Sequence, residues 1–311
     1  MHSLRIIFMG TPEFAVPSLQ ILVENKFNMV AVITAPDKPQ GRGQKFTASP
    51  VKEYALQHQI PVLQPTNLKS ELFLEELKSY KANVQVVVAF RMLPEAGWAM
   101  PVLGTFNLHA SLLPQYRGAA PINWALINGE KETGITTFFL RHEIDTGNII
   151  FQEKEPILPE DDAGSLYARL MNKGGQLVLK TIRAIEAGNC LTQPQMAATE
   201  LKQAPKIYKE TCEIKWNQPS ERICNFVRGL SPYPAAWTMI NGKLFKILRV
   251  QKSEIRNPKS DSAPGQLETD NKTYLCFRAI DGNVSIEELQ PEGKRRMSIR
   301  EFFLGNKLEP K

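Results

Sequence analysis

The sequence predicts an α/β protein: a Rossmann-like, mostly parallel sheet domain followed by a smaller OB-like β-barrel domain. Three observations support this prediction. The length of 311 residues exceeds what a single hydrophobic core usually serves, apolar runs alternate with helical segments in the first part, and short strands with hairpin turns dominate the last third. We therefore place a first domain at residues 1–189, a linker at 190–206 and a second domain at 207–311.

The first domain has the pattern of βαβ units, in which apolar strands alternate with amphipathic helices. The predicted strands are Leu4–Met9, Met29–Thr34, Val84–Phe90, Thr105–His109, Gly134–Leu140 and Asn148–Ile157. The predicted helices are Glu13–Asn25, Val51–His58 and Gly164–Ala187. Thr11 is expected to cap the first helix, and Gly174-Gly175 to interrupt the third. The alternation indicates a parallel sheet covered on both faces, with the third strand at its centre.

The second domain has the pattern of an antiparallel β protein. One helix is predicted at Ser220–Gly229, and the predicted strands are Ala236–Ile240, Lys243–Val250, Thr273–Ala279 and Asn283–Leu289. The intervening turns Asn241-Gly242 and Asp281-Gly282 are strong hairpin signals. The strand count fits a closed or partly closed barrel of the OB type, a fold that often binds nucleic acid or oligosaccharide but does not by itself establish that function.

Composition narrows the class of protein. No segment reaches the ~18 consecutive apolar residues of a spanning helix, and the N-terminus leads into a β-like stretch and not into a signal peptide, so a soluble cytoplasmic protein is expected. The four cysteines, Cys190, Cys212, Cys224 and Cys276, form no CxxC pair. Neither a zinc site nor a disulfide framework is predicted, and the thiols are expected to be reduced and mostly buried.

The net charge of +6 belongs to the last third of the chain. Residues 1–189 carry 18 Lys and Arg against 18 Asp and Glu, whereas residues 190–311 carry 20 against 14. A basic second domain helps to keep a protein soluble, but it is also the electrostatic signature of a polyanion partner such as a nucleic acid. Charge alone leaves both interpretations open.

A basic segment, APDKPQGRGQKFTASPVK, interrupts the first domain at residues 35–52. In it Lys38, Arg42, Lys45 and Lys52 accompany a single acidic residue, Asp37, while three prolines and two glycines disfavour both helix and strand. The segment is predicted to be a long mobile loop. It is either a solvated insertion or a functional lid or anion-binding loop.

Two polar side chains, Asn107 and His109, lie in the otherwise apolar run FNLHASLL. Because residues two apart on a strand share a face, both side chains are expected to point the same way. They precede the end of a strand, where open α/β sheets bind ligands. Between two later strands the segment HEIDTG presents Asp145 on a tight turn. A carboxylate near an imidazole favours its charged form and fixes its orientation.

These three side chains suit direct acyl transfer. The sequence has neither a GxSxG-type nucleophile nor clustered metal ligands, and Gly10-Thr11-Pro12 lacks the further glycines of a dinucleotide fingerprint. Asn107 and protonated His109 can donate hydrogen bonds to a tetrahedral oxyanion. His109 can also relay a proton to the departing nitrogen.

The chain resembles the methionyl-tRNA formyltransferase family over about residues 4–305. The motifs that carry the resemblance appear in the family's order: FMGTPEFAVPSL, the basic APDKPQGRGQKF, FNLHASLLPQYRGAAPINWALINGE, IDTG and LSPYPAAWTMINGKLFKI. The central motifs are shared by the wider group of enzymes that use 10-formyltetrahydrofolate. The basic insertion and the last motif favour the tRNA enzyme. Arg91 and His142-Glu143-Ile144 depart from the common family pattern.

The resemblance implies a formyl transfer from 10-formyltetrahydrofolate to the α-amino group of methionyl initiator tRNA, with no metal. It implies a catalytic trio of Asn107, His109 and Asp145. The folate-binding residues that it implies are Phe90, Arg91, Met92, Leu93, Ser111, Leu112, Leu113, Pro114, His142 and Glu143. The tRNA-binding residues that it implies are Lys38, Arg42, Lys45, Arg117, Lys206, Lys209, Lys243 and Lys246. A monomer is expected.

Other activities remain compatible with parts of the sequence. The same trio would serve glycinamide ribonucleotide transformylase, an amino-sugar formyltransferase or a formyl-folate hydrolase, although none of these explains the basic loop together with the basic β domain. A non-enzymatic RNA-binding protein would keep the charge without needing the trio. An NAD-dependent oxidoreductase lacks support because the glycine fingerprint is absent.

Overall fold

A computed structural model describes residues 3–40, 45–196, 200–253 and 263–309, with only the backbone at positions 40 and 45. The chain forms two compact units. The first contains residues up to 118, 133–155 and 167–202, and the second contains residues 119–132, 156–166 and those from 203 onward.

The first unit is built on a seven-stranded sheet with the predicted Rossmann-like character. Up to residue 156 the strands are β1 (Ile6–Gly10), β2 (Met29–Ile33), β3 (Lys38–Gln40), β4 (Lys45–Thr47), β5 (Val62–Leu63), β6 (Val84–Val88), β7 (Thr105–His109), β8 (Arg117–Gly118), β9 (Glu132–Phe139) and β10 (Ile149–Pro156). Up to residue 186 the helices are α1 (Val16–Glu24), α2 (Pro50–Gln57), α3 (Glu71–Ser79), α4 (Glu95–Trp98), α5 (Pro121–Ile127) and α6 (Ala163–Glu186). Of these, α5 and the first four residues of α6 belong to the second unit.

The sheet has the order β10-β9-β7-β6-β1-β2-β5, with β6 in the central position as predicted. Strands β7, β6, β1, β2 and β5 are parallel, whereas β9 runs antiparallel to β7. Every residue of β1 and β6 is buried, because both faces of the central sheet are covered. The chain reverses its direction of winding between β1 and β6. Ligands of open α/β sheets bind at the carboxyl ends beside such a reversal, where β6 and β7 also end.

The start of the first helix differs from the prediction. A short 3-10 turn covers Glu13–Ala15, and the α-helix begins only at Val16. Thr11 is not a helix cap: its hydroxyl oxygen accepts a hydrogen bond from the backbone N–H of Ala35 at 3.3 Å. The side chain therefore ties the turn after β1 to the chain that follows β2.

Helix α6 is not interrupted by Gly174-Gly175, contrary to the prediction. A Cβ on Gly174 would lie 2.6 Å from a methyl group of Leu108, and one on Gly175 would lie 3.1 Å from the carbonyl oxygen of Pro17. The two glycines are thus explained by close packing of the helix, and not by a break in it. Leu108 faces α6 from the opposite side of β7 to Asn107 and His109.

The described parts of the basic segment on either side of residues 41–44 form a strand pair, the β3–β4 hairpin, where a loop was predicted. Strands β3 and β4 pair antiparallel, with Pro39 opposite Phe46. Lys52 donates to the carboxylate of Asp37 at 2.6 Å, and this hydrogen bond is the main reason why the pKa of Asp37 is lowered. Lys52 therefore anchors the base of the hairpin. Arg42 lies outside the described residues.

The second unit contains an antiparallel sheet that matches the predicted OB-like barrel in its partly closed form. From residue 203 its strands are β11 (Gln203–Ala204), β12 (Ala236–Ile240), β13 (Lys243–Lys252), β14 (Leu267–Thr269), β15 (Leu275–Arg278), β16 (Asn283–Pro291) and β17 (Met297–Ser298), and its helices are α7 (Ser220–Leu230) and α8 (Ile299–Phe303). The order is β12-β13-β16-β15-β14, and β17 pairs with β16. The core includes Trp216 stacked on Phe277, with ring centroids 4.2 Å apart.

The four cysteines are free thiols, of which Cys212 and Cys276 are buried and the other two are partly buried. Burial raises the pKa of all four, and for Cys224 it does so to about 11. A thiol with a raised pKa is a poor nucleophile. Within the described ranges no helix has the length and apolarity needed to cross a membrane, and no group of three or more metal-binding side chains is found.

The turn between β9 and β10 depends on Gly147, because a Cβ at this position would lie 1.6 Å from the carbonyl oxygen of Phe139. Since backbone must move to relieve this overlap, we expect Gly147→Ala to lower the free energy of unfolding by about 3 kcal/mol or more. Urea unfolding of the purified protein measures the change. Gly282→Ala is the matched control, because no atom lies within 4 Å of its added Cβ. Equal stability of the two variants would contradict this account of the turn.

Candidate active site

His109 ends strand β7 and is the best-fixed polar side chain of the predicted trio. Its side chain is 7% exposed, and its Nε2 atom lies 2.8 Å from the carbonyl oxygen of Tyr116. Because a carbonyl oxygen only accepts hydrogen bonds, Nε2 must carry the proton. The other ring nitrogen, Nδ1, is therefore the one that can take up a proton from a reacting group.

Tyr116 presents its carbonyl oxygen to His109 from an uncommon backbone conformation. Its φ of +59° lies in the left-handed region, which costs a bulky residue conformational energy and persists only where the surroundings impose it. The side chain of Tyr116 is 5% exposed, so packing supplies part of that constraint. The geometry of this loop therefore selects one tautomer of the imidazole.

Asp145 faces the Nδ1 side of the same imidazole. Its Oδ2 atom lies 3.9 Å from His109 Nδ1, and the Asp145 side chain is 13% exposed. The same Oδ2 accepts a hydrogen bond from the backbone N–H of Gly118 at 3.0 Å. A separation of 3.9 Å is too long for a hydrogen bond.

Asn107 lies two residues before His109 on β7 and shares its face of the sheet, as predicted. Its neighbours in the sheet are Val87 on β6 and Phe138 on β9. No described residue hydrogen-bonds to the amide of Asn107, which is partly buried. The amide of Asn107 thus lies on the same face of β7 as the imidazole that Asp145 approaches.

The predicted folate segment Ser111–Pro114 follows β7 directly and is held by two strand residues. The hydroxyl of Thr136 donates to the carbonyl of Ser111 at 2.6 Å and accepts from the N–H of Leu113 at 3.3 Å. Gln152 donates to Thr136 Oγ1 at 2.9 Å and to the carbonyl of Leu113 at 3.0 Å. Ser111 and Leu113 are buried, whereas the other two residues of the segment are partly exposed. Sequence reasoning missed both bracing residues, because single polar residues on strands carry no positional signal.

A second predicted folate segment, Phe90–Leu93, follows the carboxyl end of β6. Leu93 is 7% exposed and packs in the core, whereas Met92 is 73% exposed. The guanidinium of Arg91 lies 5.5 Å from the ring centroid of Phe90 and donates to the carbonyl oxygen of Pro65 at 2.7 Å. Arg91 therefore uses part of its hydrogen-bonding capacity on the protein backbone.

An exposed pair of side chains, His142 and Glu95, brings the turn that carries Asp145 close to the chain that follows β6. His142 Nδ1 lies 3.4 Å from a carboxylate oxygen of Glu95. His142 and Glu143 are exposed, as is Ile144, a residue that the sequence-based site did not include. Ile144, which precedes Asp145, and Met92, which follows β6, thus leave apolar surface on these two segments. Such surface, together with backbone polar groups, suits a flat ligand with a polar edge.

Arg117 is joined to the Asp145 turn through Gln195, a residue that the sequence analysis assigned to the linker. The Oε1 atom of Gln195 accepts from Arg117 Nη2 at 2.5 Å and from Nε at 3.2 Å. Its Nε2 atom donates to the carbonyl oxygens of Asp145 at 2.7 Å and Gly147 at 2.9 Å. Loss of helical periodicity in this stretch gave no indication of such a role.

In the second unit, three of the predicted tRNA-binding lysines lie among aromatic side chains. Lys206 Nζ lies 5.3 Å from the ring centroid of Tyr208. Trp237 donates its indole N–H to the carbonyl oxygen of Lys209 at 2.8 Å and faces Lys246 across the β12–β13 pair. We name these five residues the basic-aromatic cluster. The fourth predicted lysine, Lys243, is exposed at the start of β13.

In the first unit, Lys38 is exposed at the start of β3. For Lys45 only the backbone, in β4, is described. Lys38 thus lies in the β3–β4 hairpin, far along the sequence from the lysines of the second unit.

Comparison with known families gives two matches along the chain. A sequence profile described as "Formyl transferase" matches residues 4–182, and one described as "Formyl transferase, C-terminal domain" matches residues 206–307. Solved structures of formyltransferases share the fold. WlaRD, a sugar 3N-formyl transferase, superposes with a TM-score of 0.67 at 23% identity, covering 95% of this chain and 100% of that chain.

A second solved structure, HypX from Aquifex aeolicus in complex with tetrahydrofolic acid, gives a TM-score of 0.63 at 19% identity and covers 100% of this chain and 49% of that chain. Sequence relatives are much nearer. A methionyl-tRNA formyltransferase of Bacteroides fragilis is 54% identical over 98% of this chain and 95% of its own length. That of Porphyromonas gingivalis is 46% identical over 98% and 96%. The chain therefore belongs to the methionyl-tRNA formyltransferase family.

Proposed function

We propose that this protein transfers the formyl group of 10-formyltetrahydrofolate to the α-amino group of methionyl initiator tRNA. The observation that carries the proposal is the state of His109. Its Nε2 proton is committed to the carbonyl of Tyr116, and its Nδ1 faces Asp145 at 3.9 Å on the face of β7 that also bears Asn107. This arrangement supplies one hydrogen-bond donor and one proton carrier to a carbonyl under attack.

In the reaction the amine nitrogen attacks the formyl carbon, the bond from that carbon to the folate nitrogen breaks, and one proton passes from the amine to the departing nitrogen. An α-amino group has a reference pKa of about 7.7–8.0, so the nucleophile is partly neutral near pH 7 without further activation. Asn107 donates to the oxyanion as it develops. His109 Nδ1 carries the proton, and Asp145 stabilises the ring while it is charged.

The folate co-substrate fits the surface beside the trio. Met92 and Ile144 expose apolar side chains at 73% and 58%, while the chain around Ser111–Pro114 and after β6 supplies backbone donors and acceptors. We assign the folate to this surface, with the predicted residues Phe90 to Leu93, Ser111 to Pro114, His142 and Glu143 as its contacts. The co-substrate supplies the activated formyl group, and the protein orients it.

Two basic regions support tRNA as the acceptor. The hairpin β3–β4 carries Lys38 and the exposed Phe46, and the basic-aromatic cluster places lysines beside Tyr208 and Trp237. Lysines bind phosphates, while aromatic rings stack on unpaired bases. We assign Arg42 and Lys45 to the same role, and Arg117 to contact with the acceptor end. The reaction is placed in the cytoplasm, in a monomeric enzyme.

The test of the proposal is formyl transfer from 10-formyltetrahydrofolate to methionyl initiator tRNA, with uncharged tRNA and glycinamide ribonucleotide as alternative acceptors. In the same assay we expect His109→Gln to lower kcat by about 10²–10⁴-fold, the range that general acid–base catalysis contributes. The glutamine amide can keep a donor near Tyr116 but cannot carry the proton, so tRNA affinity should not change.

His58→Gln is the matched control, because His58 is an exposed histidine that stacks on Tyr54 with ring centroids 4.3 Å apart. Its activity should equal that of the unmodified protein. Preference for glycinamide ribonucleotide over methionyl-tRNA would refute the assigned acceptor. Full activity of His109→Gln would refute the assigned proton carrier.

The basic-aromatic cluster generates a prediction about salt. Each phosphate contact that is lost reduces the slope of log K against log salt concentration by about 0.7–0.9. We expect Lys209→Ala and Lys246→Ala each to flatten that slope for tRNA binding, measured by filter binding between low and moderate salt. Lys272→Ala removes the same charge from an exposed turn of the second unit and should leave the slope unchanged. An equal effect of all three variants would show that only net charge matters.

A further inference from the structure

We propose that Gln195 is a positioning residue of the active site, whose side-chain amide fixes the Asp145 turn relative to the loop that orients His109. The inference rests on the proposed function, since it concerns the geometry of the same trio. It adds to that trio a residue from residues 190–206, a stretch whose sequence predicts only a linker.

Both the oxygen and the nitrogen of the Gln195 side-chain amide form hydrogen bonds. Its oxygen accepts from Arg117 Nη2 at 2.5 Å and Nε at 3.2 Å, and its nitrogen donates to the carbonyl oxygens of Asp145 and Gly147 at 2.7 and 2.9 Å. The orientation of the amide is fixed by these partners, because a flipped group would set N–H groups against the guanidinium and an oxygen against two carbonyls. Only glutamine satisfies all four contacts.

The two segments that Gln195 joins are the ones that position His109 and Asp145. Arg117 stands between Tyr116, whose carbonyl accepts from His109, and Gly118, whose N–H donates to Asp145 Oδ2. On the other side, Gln195 binds the backbone of Asp145 itself. We call the four hydrogen bonds of the Gln195 amide the clamp. The clamp links the orientation of the imidazole to the position of the carboxylate, and the 3.9 Å separation of His109 Nδ1 and Asp145 Oδ2 depends on it.

Two residues of these segments have strained backbone conformations that need support from surrounding contacts. Tyr116 and Asp145 have φ values of +59° and +55°. Left-handed backbone at residues other than glycine persists where the surrounding contacts impose it. The hydrogen bond from Gln195 to the Asp145 carbonyl oxygen acts directly on one of these residues. The bonds to Arg117 act on the residue next to the other.

The segment that carries Gln195 is also attached through its backbone, so that the side chain can be tested alone. The backbone N–H of Gln193 donates to the carbonyl of Ile149 at 2.9 Å, and that of Ile149 donates back at 2.8 Å. The N–H of Tyr116 donates to the carbonyl of Lys202 at 2.7 Å. These contacts do not use the Gln195 amide. They should keep the segment in place when the amide is replaced.

Two variants separate the halves of the clamp. Gln195→Met has a similar length and loses every hydrogen bond of the amide, whereas Gln195→Glu keeps the acceptor for Arg117 but sets a carboxylate against the two carbonyl oxygens. We expect both to lower kcat about 10- to 100-fold, since a displacement of about 1 Å at a catalytic group has effects of that size. The KM for folate should stay near that of the unmodified enzyme. Gln193→Met is the control, since its exposed side chain makes no hydrogen bond to any described residue.

Hydrogen exchange of the Gly118 amide gives a measurement that does not require turnover. Because this amide donates to Asp145 Oδ2, its exchange should become at least about tenfold faster in Gln195→Met and not in Gln193→Met. Faster exchange together with the kcat loss supports the proposal. Normal kcat in Gln195→Met, a kcat loss without faster exchange, or recovery of full kcat in Gln195→Glu would each overturn it. If the unmodified protein does not formylate methionyl-tRNA and Gly118 still exchanges faster in the variant, the clamp stands and the proposed function fails.

Discussion

The hydrogen bond between His109 Nε2 and the carbonyl oxygen of Tyr116 is the constraint from which the rest of the site follows. At 2.8 Å it assigns the proton to one nitrogen and leaves the other on the side of Asp145. The loop from Ser111 to Gly118 must therefore close back on the strand that it has just left. Thr136 and Gln152 brace the beginning of this loop, and Gln195 fixes its end through Arg117. Much of the polar structure around β7 thus serves to hold one ring in one orientation.

The parts of this arrangement that follow local rules could be predicted from the sequence. Thr105–His109 is a strand with the predicted bounds, and its alternation is enough to place Asn107 and His109 together. The family resemblance is confirmed by relatives over nearly the full length. The carboxyl end of β7 is an expected ligand site because β7 runs parallel to β6 and ends at the same edge of the sheet. Each of these inferences needs only a few neighbouring residues and one rule of periodicity.

The parts that depend on contacts between distant residues could not be predicted in this way. Gln195 and Asp145 are 50 residues apart, and nothing in a single polar residue of an aperiodic stretch indicates its partner. Gly174 and Gly175 were expected to break a helix because their intrinsic propensity is low. In the structure, packing overrides that propensity. The pair of strands β3 and β4 is a similar case, since the composition of the basic segment disfavours a strand and the two strands form by pairing with each other.

Helix α6 has a consequence for how the protein can change over evolutionary time. Its glycine at position 174 brings the helix within contact of Leu108, so the rear of the strand that bears Asn107 and His109 is sealed by close-packed atoms. Substitutions on that side of β7 must preserve the packed volume of the side chains, whereas the opposite side borders partly exposed loops. New acceptor preferences should therefore arise from changes in those loops, while the glycine and its leucine partner vary only as a pair.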